Sequence, residues 1–521
     1  MMSNTGLLVL TNPARVKKLL PVIKRHVLQT LYIQYSPRRR AIPQYQLKAS
    51  LNSKTITSIY ALATSCLSRI DVRVLISKTS QNSSTITTGR PIELVIFDGS
   101  YPQEDADTFI QKFLKNRSRS CSYISLDVDD RSEADEGEKC LLEDDEDVGR
   151  TSWGKVVLGG TFDRLHNGHK ILLSEAVLRC EEKLTVGVTD ETMIQGKVLW
   201  ELIEPCEKRI EAVKEFLEDI DGSLRYDVVP ISDMFGPTKS EDDLDLIVVS
   251  EETKRGGEKV NELRKEKGLR ILDIHVVKLA EDMGHSEHEE SKISSSNQRI
   301  RLLGTRLKEP DLAGKRLRPY IIGLTGGIAS GKSSVAEKLQ SLGAGVVHCD
   351  KLAHDLYEPG RTGFQRVVEV FGEDILDAEG RIDRKKLGKI VFNDKEQLDR
   401  LNKAVWPAIL DAALAEVERL HTEGYEIIVM EAAVLIQAKW QSVCHEIWTC
   451  IIPHKEAVKR MMERNGLTEQ EAEARINVQP SNTEQVEAAT VVLSTLWSHQ
   501  VTLEQVNRAW KAVNDFLSSK S

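Results

Sequence analysis

The sequence predicts an α/β fold class with three α/β domains, and three observations predict it. Short apolar runs alternate with stretches of helical periodicity along most of the chain. Two glycine-rich segments, 159–163 and 326–333, each follow an apolar run and precede a helical one, the order of a strand–turn–helix unit. A run dominated by Asp and Glu from Asp127 to Asp147 separates an N-terminal block from the rest.

Composition narrows the function classes. A chain of 521 residues exceeds one hydrophobic core, and at about 100–200 residues per domain it should hold roughly three. Hydrophobic residues at 40% and charged residues at 29% are the balance of a globular protein. A formal net charge of -9 argues against nucleic acid as a partner but leaves local basic loops for small anions. The eight cysteines show no C-x-x-C spacing, so no zinc knuckle or redox pair is signalled, and their scatter fits a reducing compartment. No apolar run approaches the ~18–20 residues of a transmembrane segment.

Residues 1–125 read as a smaller N-terminal α/β domain of unknown role, with apolar runs at Leu7–Leu10, Val72–Ile76 and Leu94–Phe97. The first acidic residue is Asp71, and Arg15, Lys17, Lys18, Lys24, Arg25 and Arg38–Arg40 precede it. Such a start resembles a mitochondrial targeting segment; the alternative is a basic surface helix after the strand Gly6–Leu10. The expected location is therefore cytoplasm, mitochondrion or both, with a mitochondrial-surface or protein partner through this region. Residues 126–152 read as an acidic disordered linker, because like charges at that density repel and bury nothing. The second domain spans 153–307, with strands at Lys155–Leu158, Leu184–Val188, Tyr226–Pro230, Leu246–Val249 and Ile274–Leu279. Residues 308–318 read as a linker with an entering helix, and 319–521 as the third domain, ending in helices.

The third domain opens with the strand Pro319–Leu324 and the segment Gly326-Gly327-Ile328-Ala329-Ser330-Gly331-Lys332-Ser333, which fills every fixed position of G-x-x-x-x-G-K-[ST]. Backbone N–H groups of such a loop curl around phosphate oxygens, and the following helix, with Ser334 in its first turn, adds positive partial charge. Lys332 is the catalytic cation for the β/γ phosphates and Ser333 the Mg²⁺ ligand, with ATP as co-substrate. Asp350, at the end of the strand Gly345–His348, is the candidate base for an acceptor hydroxyl; the alternative is a helix N-cap. Arg460, Arg464 and Arg475 suit a lid that neutralises charge, or are exposed helix arginines.

Together with Phe371–Ile375, Ile382–Lys385, Val391-Phe392 and Arg464–Leu467, these motifs resemble dephospho-CoA kinase over about 319–515. The resemblance implies the ribose 3′-hydroxyl of dephospho-CoA as acceptor. One departure stands out, Glu431 where many members carry Asp.

In the second domain, Gly160-Thr161-Phe162-Asp163-Arg164-Leu165-His166-Asn167-Gly168-His169 fits G-T-F-D-x-x-H-x-G-H, which resembles the nucleotidyltransferase superfamily. Histidines at i and i+3, at the mouth of the first strand, can donate to α-phosphate oxygens; zinc ligation is the competing reading. Lys197 is the best candidate for gripping the incoming phosphate, with Lys170 a weaker one. Thr253, Lys254 and Arg255 lie where an ATP-contacting loop would be. The resemblance also implies a distal loop of hydroxyls and a cation, which Ser294-Ser295-Ser296 with Arg299 or Arg301 would supply. His275 and His445 read as satisfied structural histidines.

These pieces, with Phe235–Thr238 and Ser250–Thr253, resemble phosphopantetheine adenylyltransferase over roughly 153–305, within the Rossmann-like nucleotidyltransferase superfamily. Both in this order on one chain resemble the bifunctional coenzyme A synthases of animals. The implied function is adenylyl transfer from ATP to 4′-phosphopantetheine, then phosphorylation of dephospho-CoA. The alternatives are another nucleotidyltransferase–kinase fusion, or a nucleotide-binding scaffold at mitochondria.

Overall fold

The computed structural model describes residues 2–36, 53–76, 85–127, 152–391 and 394–520. The basic triplet Arg38–Arg40, most of the acidic run and Phe392 lie outside the described residues.

Three five-stranded sheets, parallel throughout, carry the fold. The first holds β1 (Ser3–Leu10), β2 (Val27–Tyr35), β3 (Asp71–Val74), β4 (Ile92–Phe97) and β5 (Arg117–Ser125) in the order β3-β2-β1-β4-β5. The central strand β1 buries both faces, which explains its unbroken apolar run in place of an alternation. Deleting it would unmake the sheet. Strands β2 and β5 were absent from the expected set. β2 carries polar residues at Gln29, Thr30 and Gln34, and β5 begins Arg-Ser-Arg-Ser, a polar edge that reads as loop.

The second sheet holds β6 (Trp153–Gly160), β7 (Cys180–Thr189), β8 (Arg225–Ile231), β9 (Leu246–Ser250) and β10 (Asp273–Val277), in the order β10-β9-β6-β7-β8. Counted from its own first strand, this order equals that of the first sheet. The third holds β11 (Tyr320–Gly326), β12 (Gly345–His348), β13 (Ile427–Glu431), β14 (Glu446–Ile451) and β15 (Val491–Ser494), in the order β12-β13-β11-β14-β15. In each sheet the first strand is central and the chain winds to both sides of it. The carboxyl ends of the central strands are therefore where an α/β sheet opens to ligands.

The described residues cluster into two compact units, Met1–Gln298 and Arg299–Ser521. Within the first unit, one apolar cluster joins Leu8, Ile56, Tyr60 and Val72 of the N-terminal sheet and helices to Val156, Ile171, Val177 and Phe216 around the second sheet. The segment 308–318 contains no helix; it is mostly irregular, with one turn at 313–314, and Lys315 pairs with Asp311 at 2.5 Å. β15 lies where only helices were expected. The serine-rich stretch is the start of the helix Ser295–Leu302 and not an extended loop.

Candidate active sites

Strand β11 is buried at every position, and from its end the chain turns through Gly327–Gly331 into the helix Lys332–Ser341. The turn needs positive φ: 148° at Gly326, 59° at Ala329 and 84° at Gly331. A Cβ on Gly326 would lie 2.5 Å from the Cys450 carbonyl oxygen, and one on Gly331 2.7 Å from Thr495 Cγ2, so side chains are excluded at both. Ala329 bears a left-handed conformation that costs roughly 1 kcal/mol. Beside the loop lies a cavity of about 460 Å³, lined by Ala329, Ser330, Gly331, Lys332, Ser333 and Ser334 and, opposite, Arg460, Glu463 and Arg464. Gly326, Gly327 and Ile328 do not line it. The Ile328 amide instead donates to Gln479 Oε1 at 2.7 Å. The Ser330 hydroxyl is buried with no hydrogen-bond partner among the described residues.

Two carboxylates, Asp350 and Glu431, interact with lining residues of the cavity. Asp350 stands in the first turn of the helix Cys349–Asp355, whose N-cap position is His348, so the capping alternative for Asp350 is not realised. Burial raises the Asp350 pKa above the usual carboxylate value; the Lys332 cation opposes the rise and the Glu431 anion adds to it. Glu431 ends β13 beside both β11 and β12. One of its oxygens accepts from the Ser333 hydroxyl at 2.9 Å, and the other contacts His348 Nδ1 at 2.5 Å. One hydroxyl and neighbouring carboxylates form the oxygen-rich donor set that a hard cation such as Mg²⁺ prefers, so Ser333 fits as its ligand and Glu431 as the group that holds Ser333.

The lid expectation divides. The helices His454–Asn465 and Glu469–Asn477 meet at Gly466, and their Val458, Met461 and Ala472 pack on Ile328 and Ala329. Arg460 is a brace: it donates to Thr495 Oγ1 at 2.8 Å and Thr495 O at 2.7 Å, while Thr495 Oγ1 donates to Ser330 O at 2.9 Å. Arg464 lines the cavity, whereas Arg475 is exposed on the second helix outside that lining. Gln479, Thr495 and Glu463 escaped the sequence reading, since no local motif marks them.

The second site sits at the end of β6. His166 caps the helix Asn167–Arg179: its Nδ1 accepts the His169 amide at 3.4 Å. A neutral His166 therefore carries its proton on Nε2. That nitrogen lies 3.2 Å from Ser295 Oγ, His169 Nε2 lies 3.5 Å from the same oxygen, and the two imidazoles stack with centroids 3.8 Å apart. Ser295 Oγ also donates to the Asp163 carbonyl at 3.2 Å. The structure thus brings together the histidine pair and the serine-rich segment, 126 residues apart in sequence for His169 and Ser295.

Phe162 is corrected from contact to support. Its ring is buried behind His169, with centroids 5.2 Å apart, and a Cβ on Gly160 would lie 3.0 Å from it. Thr161 Oγ1 pairs with Thr189 Oγ1 at 3.1 Å. Ser294 Oγ accepts from the Asn297 amide, and Ser296 starts the helix beside Ser295. Lys197 is exposed in a turn after β7 and near Lys292, whose pKa is lowered by burial and then by the Lys197 charge. Lys292, adjacent to the serine segment, was missed. Thr253 Oγ1 accepts from the Ser250 amide at 2.9 Å, and Arg255 is exposed in the first turn of the helix Lys254–Glu266 at the end of β9. Arg299 is buried, which leaves Arg301 as the accessible arginine of that helix. Lys170 is overturned as a phosphate ligand: it is buried and donates to Asp71 Oδ1 at 2.5 Å and Val72 O at 3.0 Å. His445 is structural as expected, stacked on Tyr320 and bonded to the Ile321 amide.

No helix among the described residues is long and apolar enough to cross a membrane. Residues 320–497 match the family model for dephospho-CoA kinase, and residues 157–301 match the cytidylyltransferase-like model. The dephospho-CoA kinase of Carboxydothermus hydrogenoformans is 43% identical over 186 residues, covering 36% of this chain and 90% of the relative. That of Listeria monocytogenes is 38% identical, covering 36% and 92%. The solved structure of TT1252 from Thermus thermophilus aligns at 34% identity and a TM-score of 0.33, covering 38% of this chain and 98% of that one. Through its third sheet the chain belongs to the dephospho-CoA kinase family, preceded by a cytidylyltransferase-like domain, the domain order of a bifunctional coenzyme A synthase.

Proposed function

We propose that the chain performs two successive displacements at phosphorus, making dephospho-CoA and then CoA. In the second, the observation that carries the reading is a cavity lined by Lys332 and Ser333, with Glu431 bonded to Ser333 and Asp350 within electrostatic reach of both Lys332 and Glu431. Asp350 takes the proton of the ribose 3′-hydroxyl as that oxygen bonds to the γ-phosphorus of ATP, and the bond to the β-phosphate oxygen breaks, releasing ADP. A raised pKa makes Asp350 a stronger base than an ordinary carboxylate. Lys332 and Arg464 stabilise the charge on the phosphate oxygens. Mg²⁺, held at Ser333, would neutralise the same phosphates when bound.

In the first step, a phosphate oxygen of 4′-phosphopantetheine attacks the α-phosphorus of ATP and pyrophosphate leaves. The nucleophile is already ionised, so the protein supplies position and charge. His166 and His169 present ring N–H groups to the α-phosphate, the Ser295 hydroxyl stands between them, and Lys197 receives the incoming phosphate. The cytidylyltransferase-like match favours one second reading, CTP as nucleotide donor. Mass spectrometry of products from phosphopantetheine, Mg²⁺ and either ATP or CTP decides between them. The expected products are dephospho-CoA and CoA from ATP only, with dephospho-CoA accumulating in Lys332→Ala. Lys332→Ala that still makes CoA would overturn the kinase assignment, and a scaffold would make neither product.

A further inference from the structure

Residue Asn167 lies between the two histidines, yet its side chain points away from them. Its Nδ2 donates to Thr64 Oγ1 at 2.9 Å and to the Tyr60 carbonyl at 3.2 Å, both on the helix Ser53–Cys66 of the N-terminal block. One turn on, Lys170 reaches Asp71 and the Val72 carbonyl at the start of β3. The same face is extended by Arg73, which pairs with Asp219 at 2.5 Å and Glu215 at 3.0 Å on the helix Cys206–Ile220, and by Tyr32, whose hydroxyl donates to Asp219 at 2.7 Å. Burial opposes ionisation of Asp71, but the Lys170 and Arg73 cations outweigh it and hold that carboxyl below its usual value. An apolar seam continuous across both sheets underlies these bonds.

The helix they grip begins with His166 and His169. A helix terminus is the part of a helix most prone to fray, and here the capping bond is a long 3.4 Å. Two side chains in its first turn, Asn167 and Lys170, are fastened from outside, by residues that carry no reacting group.

We infer that the N-terminal α/β block is a positioning element of the adenylyl-transfer site, acting through Thr64 and Tyr60 on Asn167 and through Asp71 on Lys170 to fix the two histidines. This rests on the adenylyl-transfer reading above and assigns a role to residues for which the sequence offered none. Thr64 is the discriminating position, because Val keeps the shape and removes the acceptor, while Ser keeps the acceptor.

The test uses the full chain with both activities measured on each preparation. In Thr64→Val, kcat for adenylyl transfer should fall about 5- to 20-fold with the KM for ATP within twofold, and Asn167→Ala should lose about ten- to a hundredfold. Thr64→Ser should restore the wild-type value, and kinase turnover should stay unchanged in all three. The imidazole resonances of His166 and His169, read in the free enzyme with 13C-labelled histidine, should shift in Thr64→Val and return in Thr64→Ser. Wild-type kcat and unshifted resonances in both Thr64→Val and Asn167→Ala would overturn the inference. So would losses in which both activities fall together with the folded fraction. Should the wild-type chain make no dephospho-CoA at all, the adenylyl-transfer reading falls, while the resonances still decide whether the N-terminal block positions the pair.

Discussion

The first two sheets have the same strand order and opposite uses for the end of their central strand. From β6 the chain runs into Gly160, Thr161 and the histidine pair, with the Ser295 hydroxyl at 3.2 Å from His166. From β1 it runs into Thr11 and Asn12, and there the carboxylate of Asp98, at the end of β4, takes the Thr11 amide at 2.7 Å, the Thr11 hydroxyl at 2.9 Å and the Asn12 amide at 3.1 Å. An anion of the chain's own occupies the donors that a bound phosphate would use. Strand order thus sets where a ligand can sit, and the loop decides whether one does.

The largest expected effect sharpens that contrast. Replacing either histidine of the second sheet by Ala should cut adenylyl transfer by about 10²- to 10³-fold, the loss typical of one donor to developing phosphate charge. Kinase turnover on supplied dephospho-CoA should remain, since the donors of the third sheet are separate. Coupled product assays on the two single variants read both values. A histidine variant that retained full adenylyl transfer would erase the distinction between an open and a filled loop.

Next in size is Asp350, the proposed base. Asp350→Asn should lower kinase kcat by about 10²-fold, within the range for loss of a general base. Its pH dependence has a fixed sign. A raised folded-state pKa means that the proton is held more tightly in the folded protein, so any stability from this group is full below its unfolded value of 3.8 and fades as pH rises through the folded one. Activity runs the other way, gained as pH rises through that same pKa. The Glu431 anion contributes to the rise, so Glu431→Gln should move the acid limb of the kinase rate to lower pH. A limb that stays put would detach Glu431 from Asp350.

A thermodynamic check bears on the filled loop. Asp98 is 1% exposed, and Asp98→Ala would strand the Thr11 and Asn12 donors. The expected cost is about 2–3 kcal/mol in urea unfolding of the N-terminal block, from several charge-assisted hydrogen bonds lost together. A loss below about 0.5 kcal/mol would show that the loop does not depend on its carboxylate.

Much of this was readable in the sequence, for reasons particular to each part. The P-loop was legible because its backbone demands glycine where Cys450 and Thr495 approach within 3 Å. The histidine pair was legible because i, i+3 spacing at a helix start lets one ring cap the other's amide. Lys170 was misread because its partner, Asp71, is 99 residues upstream, and local spacing does not reveal that a second block covers that face of the helix. The same covering explains buried Ser174 and Glu175 on a helix whose polar residues look solvent-facing. β15 was hidden by its length of four residues between helices. Gln479 and Thr495 act through the backbone of the P-loop, a role any residue with a polar atom at that place can fill.

The smallest effect concerns the two carboxylates that bind the loops after the central strands of the first and third sheets. Asp98 is saturated by donors of its own loop, whereas Glu431 meets one loop hydroxyl, Ser333, and one imidazole, His348. Glu431→Asp withdraws the carboxylate by about 1.5 Å, one carbon–carbon bond. β13 is paired on both sides, to β11 and β12, so the strand cannot advance to compensate. The shortened side chain keeps its charge, and with it the pressure on Asp350, but surrenders one of its two contacts. Losing one hydrogen bond to a charged group is worth about 1.5 kcal/mol, so kinase kcat should fall by no more than about tenfold, with the acid limb near its original pH. A loss as deep as that of Asp350→Asn would mean that the reach of the longer carboxylate is itself required. The third loop would then depend on its own anion as strictly as the first.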